Sequence, residues 1–311
     1  MNNIPVLTVT LNPAVDKSSA TDKLKPESKL RCNEVLNEPG GGGINVSKAL
    51  KKLGLPSVAL FPAGGYNGEM LKSLLSRDSI LFNSVDSIVE TRENWVVLEN
   101  DTNLQFRFTF PGRPIEEQTV RDLIEKIRAF SPNYVVASGS LPPGLPAYFY
   151  GLVVKTAISV GAKCIVDTSG AALHALKGKN VYLIKPNIGE LCHMTGVERM
   201  EMKDVPHAAR QAVRDGFAEI IVVSMGPDGA WMVTKDHQYY AVAPPVEKKS
   251  TVGAGDSMVA GITYMLQQKQ TLKQALNFGV ACGSAATMNN GTKLFNPEDA
   301  QYLYEQINKN Q

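Results

Sequence analysis

Residues 250–261 read STVGAGDSMVAG, a turn with two glycines that leads into an apolar run of helical character, residues 258–266. The backbone N–H groups of residues 253–256 would then be the unpaired donors at the start of a helix. Such donors, together with the positive end of the helix dipole, bind anions. The stretch therefore predicts a phosphate site at a helix N-terminus.

Asp256 falls in the first turn of this predicted helix. A carboxylate beside an anion site is repelled by the anion unless its charge has a use. The obvious use is to take the proton of an attacking hydroxyl. The alternative is that Asp256 only caps the helix and the glycines only turn the chain, since Asp is common in first turns.

The rest of the chain alternates short β-branched runs with longer segments of helical period, which is typical of βαβ units and a parallel sheet. The clearest helix covers residues 119–130, whose apolar side chains share one stripe, with Thr119 and Asp122 as its predicted N-terminal cap. The predicted buried strands are residues 6–10, 58–61, 134–137, 164–167, 181–185 and 220–224.

Two segments interrupt this alternation and predict a separate small sheet. Residues 23–38 are extended and polar, and residues 94–110 form a hairpin with its turn at 100–103. In the second hairpin strand, three phenylalanines at alternate positions 106–110 share one face, which needs cover from the main domain or from a second subunit. We expect a lid that also dimerises. The predicted body comprises residues 1–16, 39–88 and 111–311, and the predicted lid comprises residues 17–38 and 89–110.

A second glycine-rich stretch, EPGGGGIN at residues 38–45, opens a helix that Gly54 could close. Four adjacent glycines cost conformational entropy on ordering, so the backbone there is expected to approach something closely. A ligand is the natural candidate. A flexible hinge between lid and body is the alternative, and the two interpretations are compatible.

Further polar residues suggest a magnesium site and a phosphorylated substrate. Asn187 and Glu190 are three residues apart after a predicted strand, so on a helix they would share one face and could hold Mg²⁺ through waters. A surface turn with a polar helix start is the alternative. Lys29, Arg92 and Arg107 lie in the lid segments, where forked guanidinium donors would suit a phosphate, although isolated arginines are more often solvated.

Composition excludes several classes of function. The 311 residues carry 32 Lys+Arg against 30 Asp+Glu, and this near balance predicts neither nucleic-acid nor membrane binding. The start of the chain lacks a basic region and reaches Asp16 before a signal-peptide core is complete, so secretion is not expected. The four cysteines are widely spaced, which predicts neither a zinc site nor a disulfide framework. A cytoplasmic protein is therefore expected. Walker A, protein-kinase and G-x-G-x-x-G signatures are missing, which disfavours an NAD-linked oxidoreductase.

In combination, GGGGIN at 40–45, KPNIGE at 185–190 and TVGAGDS at 251–257 strongly resemble the ribokinase-like sugar kinases of the PfkB family. The resemblance runs nearly the whole length. A closer match, to family members that phosphorylate fructose 6-phosphate, is carried by residues 28–32, 61–65, 138–144, 165–167 and 283–287.

The resemblance implies an α/β fold, a three-layer α/β/α sandwich with a mainly parallel sheet and a small β-sheet lid that pairs two subunits. It implies an ATP-dependent kinase that uses Mg²⁺, with K⁺ as a second cation, and that phosphorylates the C1 hydroxyl of fructose 6-phosphate. Tagatose 6-phosphate and fructose 1-phosphate are the alternative substrates. A sensor of sugar phosphates without catalysis is disfavoured, because a sensor has no need of a base at residue 256.

The resemblance also implies roles for individual residues. The catalytic base is Asp256, and the anion hole is formed by Gly253, Ala254 and Gly255. The sugar-hydroxyl site matches Asp16, Gly41 and Asn45, and the sugar-phosphate site matches Lys29, Arg92, Arg107 and Ser140. The ATP site matches Lys185, Asn187, Ser224, Gly226, Gly229, Thr251 and Asn289. Mg²⁺ would be held through water by Asn187 and Glu190, and K⁺ by Ser250, Val252, Asn289 and Gly291.

Overall fold

The computed structural model of the protein describes residues 4–289, 291 and 293–309, so residues 1–3, 290, 292, 310 and 311 of the predicted body lie outside the described part. The strands in chain order are β1 (Val6–Val9), β2 (Ala14–Thr21), β3 (Leu36–Gly40), β4 (Ser57–Ala63), β5 (Phe82–Asp86), β6 (Arg92–Glu99), β7 (Leu104–Thr109), β8 (Tyr134–Ser138), β9 (Lys163–Asp167), β10 (Leu183–Ile184), β11 (Ile220–Ser224), β12 (Ala230–Val233) and β13 (Gln238–Ala241). The α-helices are α1 (Gly42–Lys52), α2 (Gly65–Arg77), α3 (Glu117–Ala129), α4 (Phe149–Ser159), α5 (Gly170–His174), α6 (Ile188–Thr195), α7 (Val205–Arg214), α8 (Ala254–Gln267), α9 (Leu272–Thr287) and α10 (Pro297–Lys309).

The large sheet has nine strands in the order β13-β12-β11-β10-β9-β8-β1-β4-β5. Its strands pair in parallel except at one edge, where β12 runs antiparallel to both β11 and β13. One face packs on α3, α4, α6 and α7, and the other packs on α1, α8, α9 and α10, each through its own cluster of buried apolar side chains. The predicted three-layer α/β/α architecture is confirmed.

The sheet topology places a crevice beside β1. That strand pairs with β4 on one side and with β8 on the other, so the strand order reverses at β1. At such a switch point, loops at the carboxyl ends of parallel strands diverge and leave room for a ligand. Residues that follow β1 and β8 are therefore expected to line the site.

The small sheet has four strands in the order β3-β2-β6-β7. The predicted hairpin of residues 94–110 is confirmed as β6 and β7. Residues 22–35 are turns and coil rather than strand, and β2 was not predicted because its sequence, AVDKSSAT, has no apolar alternation. Strands β2 and β3 extend across residues 16 and 38, so Asp16 and Glu38 belong to the small sheet. The division into body and lid at the stated boundaries stays a prediction.

All six predicted strands belong to the large sheet, although the strand at 181–185 shrinks to the two residues of β10. The predicted cap of the helix at 119–130 is wrong. The helix starts at Glu117, and the Thr119 hydroxyl donates instead to the Glu116 carboxylate at 2.7 Å and to the Asp86 carbonyl at 3.0 Å. Thr119 thus joins the helix start to β5.

No helix in the described ranges is both long enough and apolar enough to cross a bilayer. Residues 129–154, which contain no Asp, Glu, Lys or Arg, supply β8 and the start of α4. Cys32 is exposed, the other three cysteines are buried, and all four are free thiols.

Candidate active site

The N-terminus of α8 is an anion site made by the local sequence. Gly253 is the N-cap with φ 73°, and a Cβ there would lie 2.5 Å from Leu294 Cδ2, so only glycine fits. The Ala254 N–H donates to the Thr251 carbonyl at 3.4 Å, which corrects the prediction that residue 254 is unpaired. Within the described part of the chain, the N–H groups of Gly255 and Asp256 have no acceptor and remain available for an anion.

The Asp256 carboxylate is held by two other elements rather than by its own helix. Asn45 Nδ2 from α1 donates to Oδ2 at 2.9 Å, and the Ser138 hydroxyl at the end of β8 donates to Oδ1 at 3.3 Å. Because α8 has no side-chain cap bond, the alternative in which Asp256 only caps the helix is not what the structure contains. The carboxylate is oriented toward the crevice beside β1.

Burial and, more weakly, the nearby negative charge of Asp167 together raise the pKa of Asp256 to about 6. The hydrogen bond from Asn45 and the positive charge of Lys185 act in the opposite direction. A base is most effective when its pKa lies near the working pH, so this environment suits proton transfer from a hydroxyl.

Lys185 brings a buried positive charge to the start of α8. Its Nζ lies 3.3 Å from the Asp167 carboxylate and 3.3 Å from the position that a Cβ on Gly255 would take. Burial opposes the charge on Lys185, but Asp167, and more weakly Asp256 and Glu190, overcome that effect and raise its pKa. Lys185 therefore stays protonated beside the free amides, where an anion would bind. Asp167 was not predicted as a site residue, although it ends a predicted strand and lies in the stretch 165–167 of the closer family match.

The glycine run approaches the chain's own strands closely. A Cβ on Gly42 would lie 2.3 Å from the Ser138 hydroxyl oxygen, and one on Gly43 would lie 2.6 Å from Thr10 Oγ1. The close approach predicted for this run is present, and its partner is the carboxyl ends of β1 and β8. The contact seats α1 deeply enough for Asn45 to reach Asp256. Asn45 Oδ1 is buried and has no partner among the described residues, so it is free to accept from a ligand hydroxyl.

The predicted sugar-site residues meet through two asparagines that sequence reasoning missed. Asn94 Nδ2 donates to Asp16 Oδ1 at 2.8 Å, and burial raises the pKa of Asp16. Asn12 Nδ2 donates to the Ser140 hydroxyl at 3.2 Å, and the Asn12 carbonyl accepts from Arg92 Nε at 3.1 Å. Gly41 lies against Thr10 and Pro13 at the same end of β1. The β1–β2 connection therefore joins lid and body residues into one polar cluster.

Two positively charged residues of the lid, Arg107 and Lys29, differ in their contacts. Arg107 Nη2 donates to the Thr251 hydroxyl at 3.3 Å, and Ser250 Oγ donates to Gln105 at 3.5 Å, so the polar face of β7 lies over the loop before α8. Lys29 is exposed in the connection between β2 and β3 and has no hydrogen bond or ion pair with another described residue. The structure does not bring Lys29 to the cluster.

A cleft of about 590 Å³ opens on the other side of the α8 N-terminus. It includes four predicted ATP-site residues, Ser224, Gly226, Gly229 and Thr251. Apolar groups on the 243–246 connection and on α8 and α9, which were not predicted, form much of its wall: Ala243, Pro244, Pro245, Val246, Met258 and Val280. A slot with apolar walls that ends at an anion site suits a nucleotide, with the base against the walls and the phosphates at Gly255.

The predicted cation ligands have structural partners of their own. Asn187 and Glu190 form a capping box on α6, in which Asn187 Oδ1 accepts from the Glu190 N–H at 2.9 Å and Glu190 Oε2 accepts from the Asn187 N–H at 2.8 Å. Among the described residues no three acidic, His or Cys side chains could together hold a metal. These donors fit a magnesium ion that is coordinated mainly by phosphates and water. Near the predicted K⁺ site, Asn289 Nδ2 donates to the Ala285 carbonyl at 3.2 Å, and the Ser250 hydroxyl oxygen accepts from the Val252 N–H at 3.2 Å.

Comparison of the whole chain with known proteins identifies its family. The model of the pfkB family carbohydrate kinases matches residues 1–299. The ATP-dependent 6-phosphofructokinase isozyme 2 of Escherichia coli is 41% identical over 308 residues, which cover 98% of this chain and 100% of that protein. The 1-phosphofructokinase of Borreliella burgdorferi is 34% identical over 288 residues, 91% of this chain and 92% of that protein.

The fold comparison agrees. The crystal structure of phosphofructokinase-2 from Escherichia coli in complex with fructose-6-phosphate has a TM-score of 0.93 and 39% identity, covering 98% of this chain and 99% of that one. Since the family model and the relatives span almost the whole chain, the resemblance inferred from the three motifs is confirmed. The chain belongs to the pfkB family of carbohydrate kinases.

Proposed function

We propose that this kinase transfers the γ-phosphoryl group of ATP to the C1 hydroxyl of fructose 6-phosphate, giving fructose 1,6-bisphosphate and ADP. The observation that carries the proposal is the position of Asp256, which follows Gly255 of the nucleotide cleft and accepts a hydrogen bond from Ser138, two residues before Ser140 of the sugar-side cluster. The name of the Escherichia coli relative supports the choice of substrate.

The chain's own residues account for the transfer. Asp256 accepts the proton of the C1 hydroxyl as its oxygen attacks the γ-phosphorus. The amides of Gly255 and Asp256 and the ammonium of Lys185 stabilise the negative charge on the transferring phosphoryl group. Asn45 orients the carboxylate with Nδ2 and accepts from the sugar with Oδ1.

Glu190 and Asn187 would hold the water shell of a Mg²⁺ ion bound with ATP, and the ion would supply positive charge to the phosphates. Glu190 keeps one carboxylate oxygen outside the capping box, and its charge already acts on Lys185. A potassium ion at the loop of Ser250, Val252, Asn289 and Gly291 completes the proposed cation requirement.

A second candidate is phosphorylation of fructose 1-phosphate, because a relative with that name is 34% identical. Tagatose 6-phosphate is a third sugar with a similar pattern of hydroxyls. The test compares kcat/KM for the three sugar phosphates at saturating ATP. Highest kcat/KM with fructose 6-phosphate supports the proposal, and negligible turnover of it beside good turnover of another sugar would replace it.

Arg92 is proposed to bind the phosphate of the sugar. Arg92→Lys keeps the charge but loses the forked donor geometry, so the KM for fructose 6-phosphate is expected to rise by about 10- to 100-fold while the KM for ATP stays near wild type. Steady-state kinetics with each substrate varied in turn measure this split. Arg121→Ala, which removes an exposed arginine from α3, is the control. An equal rise in both KM values would contradict the assignment.

A homodimer formed through the lid is part of the proposal. Its support is that Phe106 and Phe108 of β7, and Phe110 just after that strand, are 38%, 49% and 47% exposed on the face opposite Arg107. The main domain does not cover this face, and adjacent exposed aromatic side chains are typical of an interface. A cytoplasmic location remains a prediction.

Phe108→Glu is expected to convert the dimer into monomers, because a carboxylate in an apolar interface loses its hydration without a partner. Sedimentation velocity at several protein concentrations measures the change. Tyr302→Glu, at an exposed aromatic residue on α10, is the control and should leave the dimer intact. A monomeric wild type, or a Phe108→Glu variant that remains dimeric, would contradict the lid interface.

A further inference from the structure

A row of polar residues crosses the small sheet through the predicted sugar site. The strand register pairs Glu38 of β3 with Asp16 of β2, Asp16 with Asn94 of β6, and Asn94 with Thr109 of β7. Glu38 and Asp16 are therefore two carboxylates directly opposite each other on antiparallel strands. Like charges in such a pair repel and destabilise the sheet unless a cation lies beside them.

Lys48 on α1 supplies that cation. Its Nζ donates to the carbonyl of Pro39, the residue after Glu38, at 3.4 Å. Burial lowers the pKa of Lys48, whereas the charges of Glu38, Asp16 and, more weakly, Asp78 raise it. Glu38 likewise raises the pKa of Asp16 and Lys48 lowers it. Both carboxylates of the pair thus interact with one ammonium group.

Helix α1 links this group to the proposed catalytic base. Asn45 and Lys48 are three residues apart and share one side of the helix. Asn45 holds Asp256, and Lys48 faces Asp16 and Glu38. A sugar bound between Asp16 and Asp256 would therefore touch two carboxylates that are positioned from the same helix face.

We infer that Glu38 and Lys48 are positioning residues for Asp16, which hold its carboxylate aimed at the sugar hydroxyls. The inference rests on the proposed function for the identity of the sugar. Glu38 and Lys48 do not touch the substrate in this assignment; they act through Asp16. The Arg92 guanidinium also acts on Asp16, so two carboxylates are balanced by the ammonium of Lys48 and the guanidinium of Arg92.

This charge balance predicts an unusual pattern of variants. Lys48→Met leaves two carboxylates with Arg92 as their single cation, so Asp16 takes up a proton or is displaced. Glu38→Gln leaves Asp16 with both Lys48 and Arg92, a milder change. The double variant Glu38→Gln/Lys48→Met pairs Asp16 with Arg92 alone and so restores the net charge of the wild type. Adding Glu38→Gln to Lys48→Met is therefore expected to restore the KM and the thermal midpoint that Lys48→Met alone changes.

The experiment measures KM and kcat for fructose 6-phosphate and for ATP, and the thermal midpoint of unfolding, for all three variants. Lys48→Met is expected to raise the KM for the sugar phosphate by about 10- to 100-fold with little change for ATP. The double variant is expected to return to within about fivefold of wild type, and Lys48→Arg to recover part of the loss. Lys52→Met, at an exposed lysine one turn further along α1, is the matched control.

A Lys48→Met variant with wild-type KM, or a double variant no better than Lys48→Met, would overturn the inference. Wild-type enzyme that turns over none of the three sugar phosphates would instead contradict the proposed function. If the enzyme turns over none of the three sugars, the thermal midpoints still test the group of Glu38, Lys48 and Asp16, because the repulsion between Asp16 and Glu38 does not depend on substrate. Lys48→Met should lower the midpoint and the double variant should restore it, and equal midpoints would count against the group.

Discussion

Asp256→Asn is expected to lower kcat by about 10²- to 10⁴-fold while the Kd values for ATP and fructose 6-phosphate stay near wild type. The substitution preserves the size of the side chain and the amide can still meet Asn45 and Ser138, so the site should remain assembled. What is lost is the group that accepts the proton of the attacking hydroxyl. Coupled steady-state assays give kcat, and calorimetry gives the two Kd values.

The matched control is Asp299→Asn, which changes an aspartate in the first turn of α10. Both variants lose a negative charge near a helix N-terminus, but only Asp256 lies at the crevice, so a general effect on helix dipoles would affect both equally. A kcat within about threefold of wild type for Asp256→Asn would contradict the assigned base, since general base catalysis contributes at least about 100-fold.

The pH profile of the wild-type enzyme offers an independent check of this base. Because the base must be ionised and its pKa is raised to about 6, kcat/KM should fall as the pH drops through that value.

Lys185→Met is expected to have the second largest effect, a loss of about 10²- to 10³-fold in kcat, because it removes a cation from the proposed phosphoryl site. It also leaves Asp167 and Asp256 as two neighbouring carboxylates without a cation. Breaking a buried ion pair by removing one partner costs about 3–5 kcal/mol, so the thermal midpoint should fall. The acid limb of the pH profile should move to higher pH, since Lys185 is one of the groups that hold the pKa of Asp256 down.

A double variant separates the structural role of Lys185 from its catalytic role. Asp167→Asn/Lys185→Met removes both charges of the pair, so stability should recover and the acid limb should move back toward lower pH, while kcat stays low. Lys177→Met is the control, because it breaks an exposed pair with Asp215 at 3.6 Å, and exposed pairs contribute about 1 kcal/mol or less. Recovery of kcat in the double variant would show that Lys185 acts only on Asp167.

Some residues of the site could be predicted from a local sequence pattern, and others could not. Asp256 and the amides before it could be predicted because a glycine turn that opens an apolar helix is a local pattern, and local backbone geometry suffices to make an anion site. The pair Asn187 and Glu190 was predicted as a magnesium motif, and its N-x-x-E spacing also makes the capping box that the structure contains. The same N-x-x-E spacing suits both a magnesium motif and a capping box, and the hydrogen bonds of the structure show the capping box.

Other site residues carried no local signal. Asn12 and Asn94 are single amides in the β1–β2 connection and in β6, and Asp167 is one aspartate at the end of one strand among several. Their importance comes from neighbours distant along the chain: Asn12 contacts Ser140, and Asn94 contacts Asp16. A pattern confined to adjacent residues contains no information on such pairs.

Periodicity and turn chemistry alone established the α/β class, the hairpin of the small sheet and the helix start at Gly253, because each depends on residues a few positions apart. The meeting of Asn45 with Asp256, 211 residues further along the chain, depended on the order of strands in the sheet and on the seating of α1 against β1 and β8. The same is true of the Glu38, Lys48 and Asp16 group. Charges and hydrogen bonds act across space over a few ångströms, so the chemistry of this site was decided where the chain folds back on itself.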